Sequence, residues 1–175
     1  MYKFLFTLLT ISLFSIGSLQ AQDKAPSPSA KFIQKVGLTD VTIEYSRPGV
    51  KDRKIFAADG LVPFGQKWRT GANSATKITF SDDVTIDGNK VPAGSYAILT
   101  TPNADSWAIH FFPYEATRWS TYRDAEPMLT ISAESGSIPN KIESFIIAID
   151  NLRDTSATII MAWENTAVSF PIGVK

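Results

Sequence analysis

Residues 77–88 read Lys77-Ile78-Thr79-Phe80-Ser81-Asp82-Asp83-Val84-Thr85-Ile86-Asp87-Gly88. Ile78 and Phe80 alternate with Lys77 and Thr79, and Val84 and Ile86 keep the same step around Thr85. Side chains on an extended chain point alternately to opposite faces, so this spacing collects the apolar residues on one buried side. Asp87-Gly88 then supplies residues that tolerate the positive backbone angles of a tight hairpin. The stretch therefore predicts strands and a sharp reversal.

The same period recurs on both sides. Val41, Ile43 and Tyr45 interleave with Thr42 and Glu44, and further sets run through Trp107, Ile109 and Phe111, then Phe145, Ile147 and Ile149. Ile160 with Ala162, and Val168, Phe170 and Ile172, complete the series. Turn-forming clusters separate these runs at Pro92-Ala93-Gly94, Thr101–Asp105 and Ser137-Ile138-Pro139-Asn140. Short strands at near-regular spacing without a long helical pattern indicate an all-β protein, a β-sandwich or partly open barrel of about ten strands. Short helical turns are expected at Lys54–Ala58 and Glu115–Tyr122. The unbroken apolar segment Phe145–Ala148 reads as a central strand covered on both faces.

The N-terminus has the pattern of an export signal. Met1-Tyr2-Lys3 gives a positive start, Phe4–Ile16 is mostly apolar, and Gly17–Ala21 is a small-residue exit. The run falls short of the roughly 20 residues of a membrane-spanning helix. Residues 1–21 are thus expected to be removed, residues 22–29 (rich in Pro and Ser) to form a flexible leader, and residues 30–175 to form one domain. The expected location is the periplasm or the cell exterior. The 175-residue chain holds no cysteine and is formally neutral. Disulfides are therefore ruled out as staples, and nucleic acid is not expected as a partner.

Four motifs occur in order: Arg47-Pro48-Gly49, Trp68-Arg69-Thr70-Gly71-Ala72-Asn73, Pro92-Ala93-Gly94-Ser95-Tyr96, and Trp107 at the start of its strand. With them the chain resembles an uncharacterised domain-of-unknown-function family of exported proteins common in Bacteroidota. The resemblance implies an all-β fold and export, and it supplies no activity and no functional residues.

Arg47–Asn73 lacks alternation and carries six cations, Arg47, Lys51, Arg53, Lys54, Lys67 and Arg69, against Asp52 and Asp59. It reads as a long basic crossing between strands and as the first candidate ligand site. Guanidinium forks hold carboxylate or phosphate through paired bonds. Arg47, Arg53 and Arg69 would grip the ligand, Trp68 would offer a flat face, and Asn73 an amide that both donates and accepts. The architectural alternative has these arginines bonding loop carbonyls, with Gly71 allowing a left-handed turn. Trp68 and Arg69 are neighbours, so on a strand they face opposite ways.

Phe111–Asp124 is the richest aromatic stretch. There Trp119 and Tyr122 would stack against a sugar ring, or else close one end of the sandwich. His110 is the single histidine, expected on a strand as a half-exposed, hydrogen-bonded residue. One histidine and no cysteine leave no common zinc set. Calcium could draw on Ser81–Asp83 and Asp87–Asn89, although hairpin ends bonded to backbone explain both. Serine catalysis would rest on His110 without a nucleophile turn, and no phosphate loop or other cofactor motif is present. The leading expectation is a non-catalytic binding or structural module for a carbohydrate or small anionic ligand. The alternative is a hydrolase of sugar or cell-wall polymers using two of Glu44, Asp83, Glu115 and Glu164. An envelope-protein partner is a third reading, which requires a flat exposed apolar patch.

Overall fold

A computed structural model describes residues 26–175. The expected signal, and the leader up to residue 25, lie outside the described residues. The chain enters at a first strand, β1 (Ser29–Val36), and turns through Gly37 and Leu38 into β2 (Thr39–Ser46). Ser29 thus belongs to the domain, and the Pro28 carbonyl already accepts the Arg47 amide at 2.9 Å. Two-residue strands β3 (Phe56–Ala57) and β4 (Val62–Pro63) form a small parallel pair inside the basic crossing. Then come β5 (Thr76–Phe80), β6 (Val84–Ile86) and β7 (Asn89–Val91). Between β6 and β7, Asp87 and Gly88 have φ of 47° and 78°, the paired positive angles expected of this hairpin. The remaining elements are β8 (Gly94–Pro102), β9 (Ser106–Pro113), one helical turn α1 (Ser120–Arg123), β10 (Leu129–Asp150) and β11 (Ser156–Gly173).

Nine strands join in one open antiparallel sheet ordered β1-β2-β5-β8-β9-β10-β11-β6-β7. The sheet doubles over because β10 changes partner. Leu129–Glu134 pairs with β9, and the rest of the strand runs against β11. This brings β11 and the second half of β10 over the first strands. Phe111 meets Phe170 with ring centres 5.9 Å apart, and Tyr45 meets Phe145 at 5.8 Å. The free edge of β10 is partly closed by the segment after β2. Val50 donates to the Glu143 carbonyl at 2.8 Å, and Phe145 to that of Pro48 at 2.9 Å. Beyond this short seam the Tyr45 hydroxyl accepts the Ile147 amide at 3.0 Å.

The alternating sets fill the space between the layers. Val41, Ile43, Ile78, Ile98, Ile109, Phe111, Phe145 and Ile159 are all fully buried. Each such side chain contributes about 1.5–3 kcal/mol by leaving water, which is how a chain without disulfides holds two layers together. A second, smaller core lies on the outer face of β8 and β9, where Ala97, Leu99 and Phe112 are covered by Tyr122.

Four local expectations need correction. Lys54–Ala58 is not helical: Phe56 pairs with Val62 and packs 4.8 Å from Trp107, a tertiary contact that overrides local preference. Ser137–Asn140 is not a turn but lies within β10, at a register shift between Ser137 and Ile142. Pro139 has no amide hydrogen to give, and it costs the ladder no bond because it occupies the unpaired stretch of this shift. Phe145–Ala148 is covered on one face only, with Phe145 and Ile147 buried and Ile146 and Ala148 half-buried, because a two-layer fold gives each strand one interior side. His110 is more enclosed than expected, at 9% exposure, and its ring nitrogens each lie 3.0 Å from a threonine hydroxyl, of Thr101 and Thr130.

Candidate functional site

The crossing from β2 to β5 wraps the open end of the aromatic core. Trp68 reaches inward, stacked on Trp163 with ring centres 5.7 Å apart and planes 15° from parallel, and edge-on to Phe145 at 5.0 Å. Its Nε1 donates to the Gly71 carbonyl at 3.0 Å. The next residue turns outward: the Arg69 guanidinium lies over the Trp119 ring at 5.3 Å. Opposite facing of these neighbours therefore holds, yet both border one cavity, because the chain curls immediately after them. Thr70, Gly71 and Asn73 have φ of 55°, 151° and 59°. Thr70 is β-branched and fully buried, so its positive φ is a strained conformation, costing on the order of 1–3 kcal/mol. Surrounding bonds hold it: Thr76 Oγ1 donates to the Thr70 carbonyl at 2.6 Å, and Thr70 Oγ1 to Thr100 Oγ1 at 3.2 Å.

The cavity has a volume of about 380 Å³ and is bordered by Lys51, Arg53, Trp68, Arg69, Asn73 and Trp163. Of the residues expected at the site, Arg53, Trp68, Arg69 and Asn73 are thus brought together. Arg53 spends two donors on loop carbonyls, Nε to Val50 at 3.0 Å and Nη2 to Gly49 at 2.6 Å. Those bonds orient the guanidinium without neutralising it. Asn73 donates to the Ser27 carbonyl at 3.1 Å and to Ser46 Oγ at 3.3 Å. Arg47 stands apart. It is half-buried, its Nε donates to the Phe145 carbonyl at 3.0 Å, and it helps fasten the seam to β10.

Trp119 and Tyr122 lie on the outer face instead. Tyr122 is buried, and its hydroxyl accepts the amides of Glu115 and Ala116 at 2.8 and 2.7 Å while donating to the Ala116 carbonyl at 2.8 Å. It anchors the segment after β9 and presents no ring to a ligand. Trp119 is half-buried between two guanidiniums, Arg69 at 5.3 Å and Arg123 at 5.7 Å. It touches the site through Arg69.

Charge separates this cavity from two larger hollows. In one, on the outer face of β2 and β5, Lys31 and Lys77 both pair with Glu44, at 3.4 and 3.2 Å. In the other, beside β6 and β7, Lys175 lies 3.8 Å from Asp83. Among the described residues, Lys51, Arg53 and Arg69 have no carboxylate within ion-pair distance. The border of the cavity therefore carries an excess of positive charge above the Trp68 and Trp163 indoles.

The acids considered for hydrolysis are spread out. Partial burial alone would push Glu44 up, but hydrogen bonds and charge from Lys77 and Lys31 outweigh it and hold the carboxyl below its ordinary value. A general acid needs the opposite shift. Asp83 Oδ1 accepts the Ala93 amide at 2.9 Å. The side chains considered for calcium serve the hairpin ends, with Ser81 Oγ accepting the Asp40 amide at 2.8 Å and Asn89 Nδ2 donating to the Asp87 carbonyl at 3.1 Å. Among the described residues no three His, Cys, Asp or Glu side chains cluster as a metal site.

The Trp68–Asn73 string, which carried the sequence resemblance, thus forms the rim of the cavity. The model of the family described as "Protein of unknown function (DUF2911)" matches residues 27–172. The chain belongs to the DUF2911 family. Neither curated proteins nor solved structures gave a match. In this DUF2911 chain, sequence reasoning passed over two border residues. Trp163 lies on β11, far along the chain from Trp68, and only cross-strand packing brings them together. Lys51 was visible as one of the crossing's cations, and what singles it out is its position at the cavity mouth.

Proposed function

We propose that this DUF2911 chain is an exported, non-catalytic binding module whose ligand, a small anion or an acidic carbohydrate, occupies the basic cavity. One observation carries the reading: Lys51, Arg53 and Arg69 all border the cavity, and among the described residues none of their side-chain charges pairs with a carboxylate, the Glu143 carboxylate bonding only the Lys51 main-chain amide at 2.9 Å. Three cations bordering one indole-floored hollow give it an excess of positive charge, which favours an anion as the occupant. The strained Thr70 backbone supports the reading, since such strain persists where the surrounding structure holds a loop ready for a task. Among the described residues no Asp or Glu borders the cavity, which does not favour a two-carboxylate hydrolysis at this site. Among the described residues no helix is long and apolar enough to cross a membrane.

The test is a thermal-shift screen against neutral sugars, sugar acids, carboxylates and phosphates. A ligand that binds only the folded chain raises stability by RT ln(1 + [L]/Kd). The reading expects acidic compounds to raise the Tm, and expects Arg69→Ala to remove that rise. A screen in which no compound discriminates between the two proteins would overturn it. Export is tested separately: the mature protein should begin at Gln22 by mass spectrometry, and a retained residue 1–21 segment would count against it.

A further inference from the structure

We infer that the Arg69–Asn73 loop grips an oxyanion with its own main-chain amides, an inference that rests on the basic cavity being a ligand site. The loop's carbonyls are engaged, Gly71 by Trp68 Nε1 at 3.0 Å and Thr70 by Thr76 Oγ1 at 2.6 Å. Its amides are not. Among the described residues none of the N–H groups from Arg69 through Ser74 finds an acceptor, whereas Trp68 and Ala75 on either side of that run donate to Thr100 and Thr117 at 2.7 and 2.9 Å. Of these, Gly71 is buried and borders the cavity, and a buried amide without an acceptor is rare in a folded protein.

The backbone angles give these amides a shared purpose. Successive N–H groups in a chain that passes through left-handed angles form a concavity that binds anions. Thr70, Gly71 and Asn73 all have positive φ. Gly71 and Ala72 border the cavity with almost no side chain, so the backbone itself faces the hollow's lining. Gly71 is held to glycine twice over, by its φ of 151° and because a Cβ there would lie 2.9 Å from the Ser46 carbonyl oxygen. Charge comes from Arg69 within the loop and from Arg53 and Lys51 across the cavity. Amides fix the oxygens in place and the cations neutralise them, an arrangement that suits either a phosphate group or a carboxylate.

The experiment is an amide-resolved NMR titration of the chain with inorganic phosphate, acetate and glucose in separate arms at constant ionic strength. The expected result is a saturable downfield shift of the Gly71, Ala72 and Asn73 amide protons with phosphate or with acetate, and the arm that produces it names the class. Ala72→Pro deletes one donor without removing charge and should weaken that anion about 10- to 100-fold, the effect of one hydrogen bond to a charged group. Should this variant fail to fold, the titration of the unaltered chain decides alone. Shifts with glucose only would leave the cavity as a ligand site and overturn the oxyanion grip. Anion shifts confined to residues outside the loop would also overturn it. Silence in all arms would overturn the oxyanion grip, while the thermal-shift screen with sugar acids decides separately whether the cavity is a ligand site.

Discussion

Tyr122 and Arg69 show how residues of similar promise in sequence take opposite roles. The Tyr122 hydroxyl makes three bonds to the main chain at Glu115 and Ala116. Tyr122→Phe leaves those amides without an acceptor and should lower stability by about 1–3 kcal/mol, read by chemical denaturation, while ligand binding stays unchanged. Arg69 makes a cation–π contact with Trp119, worth about 0.5–1 kcal/mol at an exposed site, so Arg69→Ala should barely move the Tm. His110 belongs with the first kind. Burial pushes its imidazole below the ordinary value of 6.5, and the nearby Lys67 charge adds to this. The fold therefore favours the neutral ring. That stability is complete above pH 6.5 and is lost as pH falls from there through the depressed folded-state value, because the unfolded chain takes up the proton first. Melting temperature followed downward from about pH 7 should show this loss, and His110→Gln should flatten it.

At the scale of elements, β10 decides the architecture, and it was the least legible strand. Pro139 lies in an unpaired stretch where the register with β11 shifts. Pro139→Ala should change stability by no more than about 0.5 kcal/mol. Ile147→Pro should cost about 3 kcal/mol or more, since the Ile147 amide donates to the Tyr45 hydroxyl across the sandwich. Denaturation curves for the two variants check the contrast. Val41, Ile43 and Tyr45, and the Asp87-Gly88 hairpin, were readable because period two and positive φ are local properties. Ser137–Asn140 misled because Pro and Asn signal a turn locally, whereas a register shift depends on a partner strand distant in the chain. Phe56 misled in the same manner, drawn into a strand by Trp107 and Trp163. In the crossing, composition alone pointed to the cations. Which of them meet was decided by the strained turn at Thr70 and by contacts with Trp163 and Phe145 that no local pattern records.

For the whole molecule, near-neutral overall charge conceals an uneven distribution. Lys31 and Lys77 are balanced by Glu44, and Lys35 by Asp40 at 2.7 Å, while the cavity keeps its positive charge unpaired among the described residues. A doubled sheet with a fully packed interior gives that charge a rigid mounting. Trp107, Trp163, Phe111 and Phe145 are all at most 1% exposed, so removing a rim cation need not disturb the layers beneath. Site and scaffold should therefore separate cleanly. Isothermal titration calorimetry tests this most directly, comparing the chain with an Arg53→Ala/Arg69→Ala variant against the best acidic ligand from the screen. The account predicts one binding site per chain, lost in the variant while its Tm stays within a few degrees of the parent. Equal binding by both proteins, or a variant that loses binding only because it has unfolded, would contradict it.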